Sequence, residues 1–394
     1  MIEGIKIKNF KALRHIELKN LPKMCVFIGA NGTGKTTLFN VFGFLKDALV
    51  DKVSVALTKQ GGSRGFQEVR SRGESGSIEI ELKFRERNES PLVTYILEIN
   101  EEEGKPIVER EVLQYRRGSK GQPWKFLDFS RGKGVAVTNE PENVDDQTKL
   151  DLEDNVLKAP DILALKGLAQ FEKFPAPKSL GNLLENWHIS DFHINQARAD
   201  REIGYAEHLS REGENLAWVT EYIYKQHPDV FRKIIERLKI RVPGISAVET
   251  KVTDDGRILL RFKDGNFIDP FLARHVSDGT IKMLAYLILL YDPKPHPLLC
   301  IEEPENQLYP RLLAELAEEF REYARLGGQV FVSTHSFEFL NACEIDEVFW
   351  LAKEKGFTVI KRASEDEQIK RYMADGDKLG YLWREGFFTG ADPR

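Results

Sequence analysis

The chain begins with alternating apolar and polar residues, the pattern of a β-strand with one buried face. Apolar side chains stand at Ile5, Ile7 and Phe10, and an uninterrupted apolar run, MCVFI, follows at 24–28. After a short glycine-containing stretch, TTLFNVFGFLKDALV repeats its apolar residues at helical spacing. The first 50 residues therefore predict strand, strand, loop and helix, in that order.

The middle of the chain predicts an antiparallel β lobe. SIEIELKFRER at 77–87 alternates cleanly, and strand-like runs with turn residues between them continue to residue 129. We interpret the glycine- and arginine-rich segment 61–76 as a flexible loop. Residues 130–158 have no clear core pattern, and we interpret them as a mobile surface excursion.

The rest of the chain returns to helical and mixed patterns. Residues 159–264 contain amphipathic helical segments and two short strands. A helix from about 278 is followed by a strand at 297–303, and a further helix and strand follow in alternation. Such alternation predicts an α/β fold with a mainly parallel sheet sandwiched by helices.

Composition narrows the class of protein without deciding it. The 394 residues are 41% hydrophobic and 30% charged, as in globular chains. The net charge of −5 excludes a surface that is basic overall. The longest apolar run, MLAYLILLY at 283–291, is half the roughly 20 residues of a membrane helix, and we expect neither a membrane span nor a secretion signal. Three cysteines without a CxxC pattern favour a reducing, cytoplasmic location.

The segment GANGTGKT at 29–36 matches the phosphate-loop pattern GxxxxGK[ST], with a buried strand before it and a helix after it. Glycines let the backbone N–H groups turn inward around a polyphosphate, and Lys35 supplies a cation for the β and γ phosphates. The Thr36 hydroxyl is a hard oxygen ligand for Mg²⁺. The alternative is a glycine-rich turn that only resembles the pattern. The predicted nucleotide-binding residues are Gly29, Ala30, Asn31, Gly32, Thr33, Gly34, Lys35, Thr36 and Thr37.

Two acids follow a second buried strand, in LLCIEEPEN at 298–306. Charged groups at the carboxyl end of a sheet strand are costly unless they meet a metal or a reacting water. We interpret Glu302 as an acid near Mg²⁺ and Glu303 as the base that polarises the attacking water. The alternative is a solvated acidic turn.

Two further segments lie near these acids in the sequence. In VSDGTIKML at 276–284, Ser277 is a predicted helix cap, and with Gly279 it forms a candidate anion site; a cap alone is the alternative. His335 follows the strand QVFVST and could reach a γ-phosphate, unless it is a structural histidine. The other seven histidines lack ligand spacing, and we assign them no metal.

In this order the segments resemble ABC-class ATPases of the SMC, RecF and OLD type. GANGTGKT is similar to the family's Walker A, CIEEPEN followed by QLYP to its Walker B and D-loop, and STHS at 333–336 to its switch histidine. VSDGT stands where the family has its LSGGQ signature, and IKNFKAL at 7–13 resembles its opening strand, with Lys11 as the basic residue near the nucleotide. The resemblance covers about 1–60 and 265–394; the middle matches only loosely.

The resemblance implies a mechanism and partners. ATP and Mg²⁺ would be sandwiched between two heads of a homodimer or higher oligomer, with Ser277 and Gly279 touching the partner's γ-phosphate. Glu303 would be the catalytic base, and His335 would sense the same phosphate. Relatives without a long coiled coil work in anti-phage and toxin–antitoxin-like operons with a separately encoded effector, often a nuclease.

Several residues depart from the family's pattern. Asp278 replaces the first glycine of the signature, Glu302 replaces the usual Asp, and Tyr309 stands where relatives commonly have His. The glutamine that the family places near the nucleotide is either Gln67 or Gln196, and the sequence leaves both open.

The expected organisation is an ABC-type core at 1–60 and 265–394, a β lobe with mobile loops at 61–158 and a helical insertion at 159–264. The leading hypothesis is an ATP-hydrolysing switch that gates an effector or nucleic acid, in anti-phage defence or DNA maintenance. The alternative is a scaffold that binds ATP and assembles with negligible turnover. Eight basic against three acidic residues at 105–134 suggest a nucleic-acid surface, with a solvated basic face as the alternative.

Overall fold

The computed structural model describes residues 1–86, 89–116, 122–139 and 150–391. Part of the basic stretch, 117–121, and most of the acidic stretch from Glu140, 140–149, lie outside the described residues. The described strands are β1 (Ile2–Phe10), β2 (Leu13–Lys19), β3 (Met24–Ile28), β4 (Ile78–Phe84), β5 (Val93–Glu102), β6 (Lys105–Tyr115), β7 (Trp124–Ser130), β8 (Lys133–Val137), β9 (Leu152–Val156), β10 (His188–Ser190), β11 (Arg201–Glu202), β12 (Ile245–Val252), β13 (Arg257–Asp264), β14 (Phe271–Leu272), β15 (Leu299–Glu302), β16 (Val330–Thr334), β17 (Val348–Glu354) and β18 (Phe357–Arg362).

The helices follow the amphipathic and apolar segments of the sequence. They are α1 (Lys35–Val50), α2 (Val53–Gly61), α3 (Phe66–Val69), α4 (Ala164–Leu168), α5 (Pro175–Glu185), α6 (Ile194–Ala197), α7 (Leu216–Gln226), α8 (Pro228–Arg241), α9 (Asp278–Leu290), α10 (Pro310–Arg325), α11 (Phe337–Leu340), α12 (Glu367–Ala374) and α13 (Leu379–Arg384). Among the described residues, no helix combines the length and apolar character that crossing a membrane requires.

The chain divides into two compact units, each built from separate stretches of sequence. The first unit comprises 1–187, 346–366 and 388–394, and the second comprises 188–345 and 367–387. The predicted domain organisation along the chain stays a prediction.

The first unit contains an antiparallel sheet of eight strands among the described residues, in the order β2-β1-β4-β5-β6-β7-β8-β9. The antiparallel lobe predicted over 77–129 lies in this sheet, whereas the prediction of a mainly parallel sheet is not confirmed for it. The reason is that β1 forms hairpin contacts with β2 and also pairs antiparallel with β4, so the first two strands extend the β lobe. In the same unit, β3 pairs parallel with β17, which pairs antiparallel with β18.

Two predicted loops of the first unit contain regular structure. The segment 61–76, predicted as a flexible loop, includes α3, whose Phe66 and Val69 are buried because their apolar side chains pack inward. The predicted mobile excursion 130–158 includes β8 and β9, which pair with each other antiparallel. Strand β9 was not predicted because it lacks an apolar face. As the last strand of its sheet, it has few buried side chains.

The second unit holds the parallel strands that the last third of the sequence predicted. Strand β10 pairs parallel with β15, and β15 pairs parallel with β16. Helix α9 is buried from Thr280 to Leu290, as expected of a helix that is apolar on all sides, and the ring of its Tyr286 lies 5.8 Å from that of Phe320 on α10. This packed core carries the ends of β15 and β16, where acids and a histidine stand.

Candidate functional site

The phosphate loop in the first unit is shaped by its glycines. Gly29, Gly32 and Gly34 have φ angles of 152°, 80° and 109°, a region that other residues rarely adopt. A Cβ atom on Gly29 would lie only 2.7 Å from the carbonyl oxygen of Leu351. The tight turn between β3 and α1 therefore requires glycine at these positions, in agreement with the predicted pattern.

The side chain of Lys35, the first residue of α1, folds under this loop. Its buried ammonium group donates hydrogen bonds to the carbonyl oxygens of Gly29, at 2.6 Å, and Ala30, at 3.3 Å. Thr36 is exposed in the first turn of α1, where helix N–H groups lack intrahelical partners. A cation thus lies at a helix N-terminus, which is an arrangement that suits a polyphosphate.

Residues far away in sequence hold the loop in place. The Thr358 hydroxyl on β18 donates to the carbonyl of Thr33 at 2.7 Å, and the Thr358 amide donates to the carbonyl of Ala12 at 2.9 Å. The amide of Ala30 donates to the carbonyl of Ala391 at 2.6 Å. Thr358 was not predicted from the sequence. A strand pattern does not show which threonine will bond to a loop 325 residues earlier in the chain.

Lys11 lies in the turn between β1 and β2 with a left-handed φ of 49°. Its ammonium donates to the side-chain carbonyl of Gln60 at 3.2 Å, and burial lowers the pKa of Lys11. Its role beside a nucleotide stays a prediction. Of the two candidate glutamines, Gln67 lies in the first unit and donates to Glu101, whereas Gln196 lies in the second unit and accepts from Arg201.

In the second unit, β15 delivers the two predicted acids to its carboxyl end. Glu302 is buried, 9% exposed, and its carboxylate lies 3.7 Å from the guanidinium of Arg211. Glu303 follows with a left-handed φ of 44°, an unfavourable conformation for a residue with a side chain, and its amide donates to the carbonyl of Ser333 at 2.8 Å. The two neighbouring carboxylates point in different directions at this turn. That of Glu302 is buried, and that of Glu303 is half-exposed.

The predicted histidine meets two carboxylates. His335 Nδ1 lies 3.6 Å from Glu303 Oε1 and 3.2 Å from Glu305 Oε1. The backbone amide of His335 also donates to Glu305 Oε1 at 2.7 Å. The structure thus brings His335 and Glu303 together, and their catalytic roles stay predictions. Glu305, whose side chain is only 8% exposed, is a residue that the sequence analysis missed, although it stands in the same EEPEN segment.

A buried lysine, also missed, supports this acid turn from α9. Lys282 donates to the carbonyl oxygens of Glu303, at 3.3 Å, and Asn306, at 2.9 Å. Burial lowers the pKa of Lys282 to about 8, although nearby carboxylates, Glu305 first among them, favour the charged form. The cation therefore stabilises the turn most strongly at neutral pH and below.

The signature segment forms the N-terminus of α9. Ser277 is the cap that the sequence predicted: its hydroxyl accepts from the Thr280 amide at 3.3 Å. Asp278, the departure from the family's glycine, forms an ion pair with Arg198. A Cβ atom on Gly279 would lie 2.9 Å from the carbonyl of Gln307, so the D-loop segment packs tightly on this turn. Ser277 and Gly279 line one open groove together with Tyr309.

Solved structures with a similar fold are heads of SMC proteins. One is the crystal structure of an SMC head bound to the C-winged helix domain of ScpA, with a TM-score of 0.56 and 13% identity over 94% of this chain and 99% of that chain. Another is an SMC head with an extended coiled coil, bound to the C-terminal domain of ScpA derived from Pyrococcus furiosus. It has a TM-score of 0.50 and 13% identity, over 95% of this chain and 99% of that chain. At this identity the likeness shows the fold alone, which is that of an SMC head.

The family follows from the sequence match. The model of the family described as "AAA domain, putative AbiEii toxin, Type IV TA system" matches residues 24–341, from β3 to just beyond α11. The chain belongs to this family of AAA ATPase domains. A search of the curated proteins finds no match.

Proposed function

We propose that the chain is an ATP-hydrolysing molecular switch. The observation that carries the proposal is the phosphate loop, which combines three glycines at positive φ with the buried ammonium of Lys35, hydrogen-bonded to the carbonyls of Gly29 and Ala30. The acid turn in the second unit supports it, because a half-exposed carboxylate beside an imidazole is suited to taking a proton from water. Membership of an AAA family agrees with both.

Each residue has a role in this proposal. The amides of the loop and Lys35 bind the phosphates, Glu303 orients and deprotonates the attacking water, and His335 donates a hydrogen bond to the γ-phosphate. Thr36 of the first unit and Glu302 of the second each offer a hard oxygen donor of the kind that Mg²⁺ prefers, and both are proposed as its ligands. When bound, Mg²⁺ would neutralise charge on the β and γ phosphates.

We further propose that ATP closes a homodimer, in which Ser277 and Gly279 of one copy meet the γ-phosphate bound by the other. The position of Ser277 and Gly279 at the N-terminus of α9 supports this role, since a helix N-terminus attracts anions. The two SMC heads are bound to ScpA domains, and by analogy we propose that a separately encoded effector binds this chain. A part in anti-phage defence belongs to the same proposal.

A specific observation favours the second candidate, a scaffold with negligible turnover. Asp278 places a carboxylate where a γ-phosphate is expected, and two negative charges repel each other. Arg198 pairs with Asp278 and offsets that charge, so the repulsion is reduced. For this reason we rank the switch above the scaffold.

Nucleic-acid binding receives less support from the described residues. Arg131 pairs with Glu102 and Glu109, Lys125 pairs with Asp128, and Arg64 lies 3.4 Å from Glu68. These pairs reduce the positive charge that a phosphate backbone would meet.

Phosphate release by the wild type, Glu303→Gln and the control Glu236→Gln, an exposed acid on α8, tests the proposal. We expect Glu303→Gln to lose about 1,000-fold in rate while it still binds ATP, since a positioned base contributes about 10²–10⁴-fold. Equal rates in all three proteins would contradict the role of Glu303. Tight ATP binding and ATP-dependent oligomerisation, without phosphate release by the wild type, would instead support the scaffold.

A further inference from the structure

Three potential metal ligands converge in the second unit, outside the residues discussed so far. His208, Asp292 and His296 each offer a ligand atom, and these atoms all lie within 4.8 Å of one another. His208 Nδ1 lies 2.7 Å from Asp292 Oδ2, and His296 Nε2 lies 3.9 Å from the same oxygen. This group was not predicted from the sequence, because His208 and Asp292 are 84 residues apart.

The three side chains are largely shielded from solvent. The side chains of Asp292 and His296 are 3% and 8% exposed, and that of His208 is 35% exposed. A buried carboxylate that faces two imidazoles is expensive to maintain unless a cation or a full set of hydrogen bonds compensates it. His208, at the exposed side, leaves a path by which an ion can enter.

The surroundings hold these ligands in place. The amide of Lys294 donates to Asp292 Oδ1 at 2.8 Å, which leaves Oδ2 directed at the two imidazoles. The Tyr323 hydroxyl donates to the carbonyl of His296 at 2.7 Å and fixes the backbone of that residue. Metal ligands in proteins are commonly oriented by such outer hydrogen bonds.

We propose that His208, Asp292 and His296 bind a divalent transition-metal ion, of which Zn²⁺ is the representative probe. Two imidazole nitrogens and one carboxylate oxygen are a donor set that Zn²⁺ accepts, with water as a fourth ligand. Tetrahedral bonds of about 2.0–2.1 Å separate neighbouring ligand atoms by roughly 3.3 Å. The observed spacings of 2.7 and 3.9 Å lie on either side of that value, so small side-chain rotations suffice.

The position of these three ligands indicates that a bound ion would stabilise the structure by linking two segments of the second unit. Asp292 and His296 lie in the connection between α9, which starts at the signature, and β15, which ends at Glu302. His208 belongs to the segment that also carries Arg211, 3.7 Å from Glu302. An ion on the three ligands would tie this segment to the α9–β15 connection. The site contains none of the residues assigned to nucleotide binding, and the proposal does not depend on ATP hydrolysis.

The test is Zn²⁺ titration of the full chain by calorimetry, after chelator treatment and with excess Mg²⁺ present. We expect the wild type to bind one equivalent, and His208→Gln and Asp292→Asn each to weaken binding at least about 100-fold. Replacement by Co²⁺ should give visible absorption bands typical of nitrogen and oxygen ligands in the wild type only. The control His15→Asn, at an exposed histidine of β2, should bind as the wild type does.

A second measurement keeps the result interpretable. Circular dichroism and thermal unfolding in chelator should be the same for wild type and His208→Gln, whose side chain is partly exposed. Zn²⁺ should raise the unfolding temperature of the wild type and of His15→Asn, but not that of His208→Gln. The proposal is overturned if His208→Gln binds Zn²⁺ as tightly as the wild type, if His335→Gln alone abolishes binding, or if the wild type binds no Zn²⁺. A hydrogen-bonded network without metal would then explain the cluster.

Discussion

The phosphate loop and the acid turn contrast in how they are built. The loop is a continuous segment whose shape depends on backbone angles, with Gly29, Gly32 and Gly34 all at positive φ. The acid turn combines side chains from separate elements: Glu303 after β15, His335 after β16 and Lys282 from α9. The first is suited to holding a ligand by main-chain amides, and the second to moving a proton. Changes in the loop should therefore affect ATP binding, and changes in the turn should affect turnover.

The largest effect is expected at Gly34. A Cβ atom there would collide with the Thr358 side chain, whereas a Cβ on Gly32 would meet no atom within 4 Å. Both glycines have positive φ, so Gly32→Ala is a matched control for backbone strain alone. We expect Gly34→Ala to weaken ATP binding about 100-fold and Gly32→Ala about tenfold or less, as measured by calorimetry. Equal losses would mean that contact with Thr358 does not shape the loop.

A smaller effect is expected at Glu305, which contacts both the amide and the ring of His335. Glu305→Gln keeps a hydrogen-bond acceptor and removes the charge that orients the imidazole. We expect a loss of about 30-fold in single-turnover phosphate release with ATP affinity unchanged. If ATP affinity fell instead, the separation between binding and turnover would fail. Glu236→Gln again serves as the control.

The pH dependence of turnover tests Lys282. Its pKa of about 8 means that the ammonium is charged at neutral pH and loses its proton as the pH rises through 8. We expect the rate to fall about tenfold from pH 8 to pH 9.5 in the wild type, because the acid turn loses its cation. Lys282→Arg keeps the charge over this range and should remove the alkaline decrease. If the wild type and Lys282→Arg showed the same decrease in rate, a group other than Lys282 would be responsible for it.

The smallest effect is expected at Thr358, which supports the loop from β18. Thr358→Val keeps the shape and removes the hydrogen bond to the Thr33 carbonyl, at a cost of about 1 kcal/mol, or about fivefold in ATP affinity. Thr358→Ser, which keeps the hydroxyl, should bind as the wild type does. Urea unfolding of both variants would separate a local effect on the loop from a general loss of stability.

The sequence predicted most where neighbouring residues decide the structure. The phosphate loop, β3 and the cap at Ser277 each depend on a few consecutive residues, and they were predicted from the pattern. Glu302, Glu303 and His335 were also singled out, since each stands at the end of a buried strand or directly after it.

What the sequence did not predict depends on contacts between distant segments. Thr358 and the cluster of His208, Asp292 and His296 acquire their neighbours only in the folded chain. The extension of the antiparallel sheet by β1, β2, β8 and β9 was missed for the same reason, because edge and hairpin pairings are not encoded by apolar periodicity.

The hydrogen bond from the Ala30 amide to the Ala391 carbonyl has a consequence for biosynthesis. Strand β3 and α1 leave the ribosome early, but this bond cannot form until codon 391 has been translated. The nascent polypeptide should consequently bind nucleotide less tightly while it is being made, since one such hydrogen bond contributes about 1 kcal/mol. Ribosome-bound chains stalled before this codon should retain less ATP analogue than the released protein.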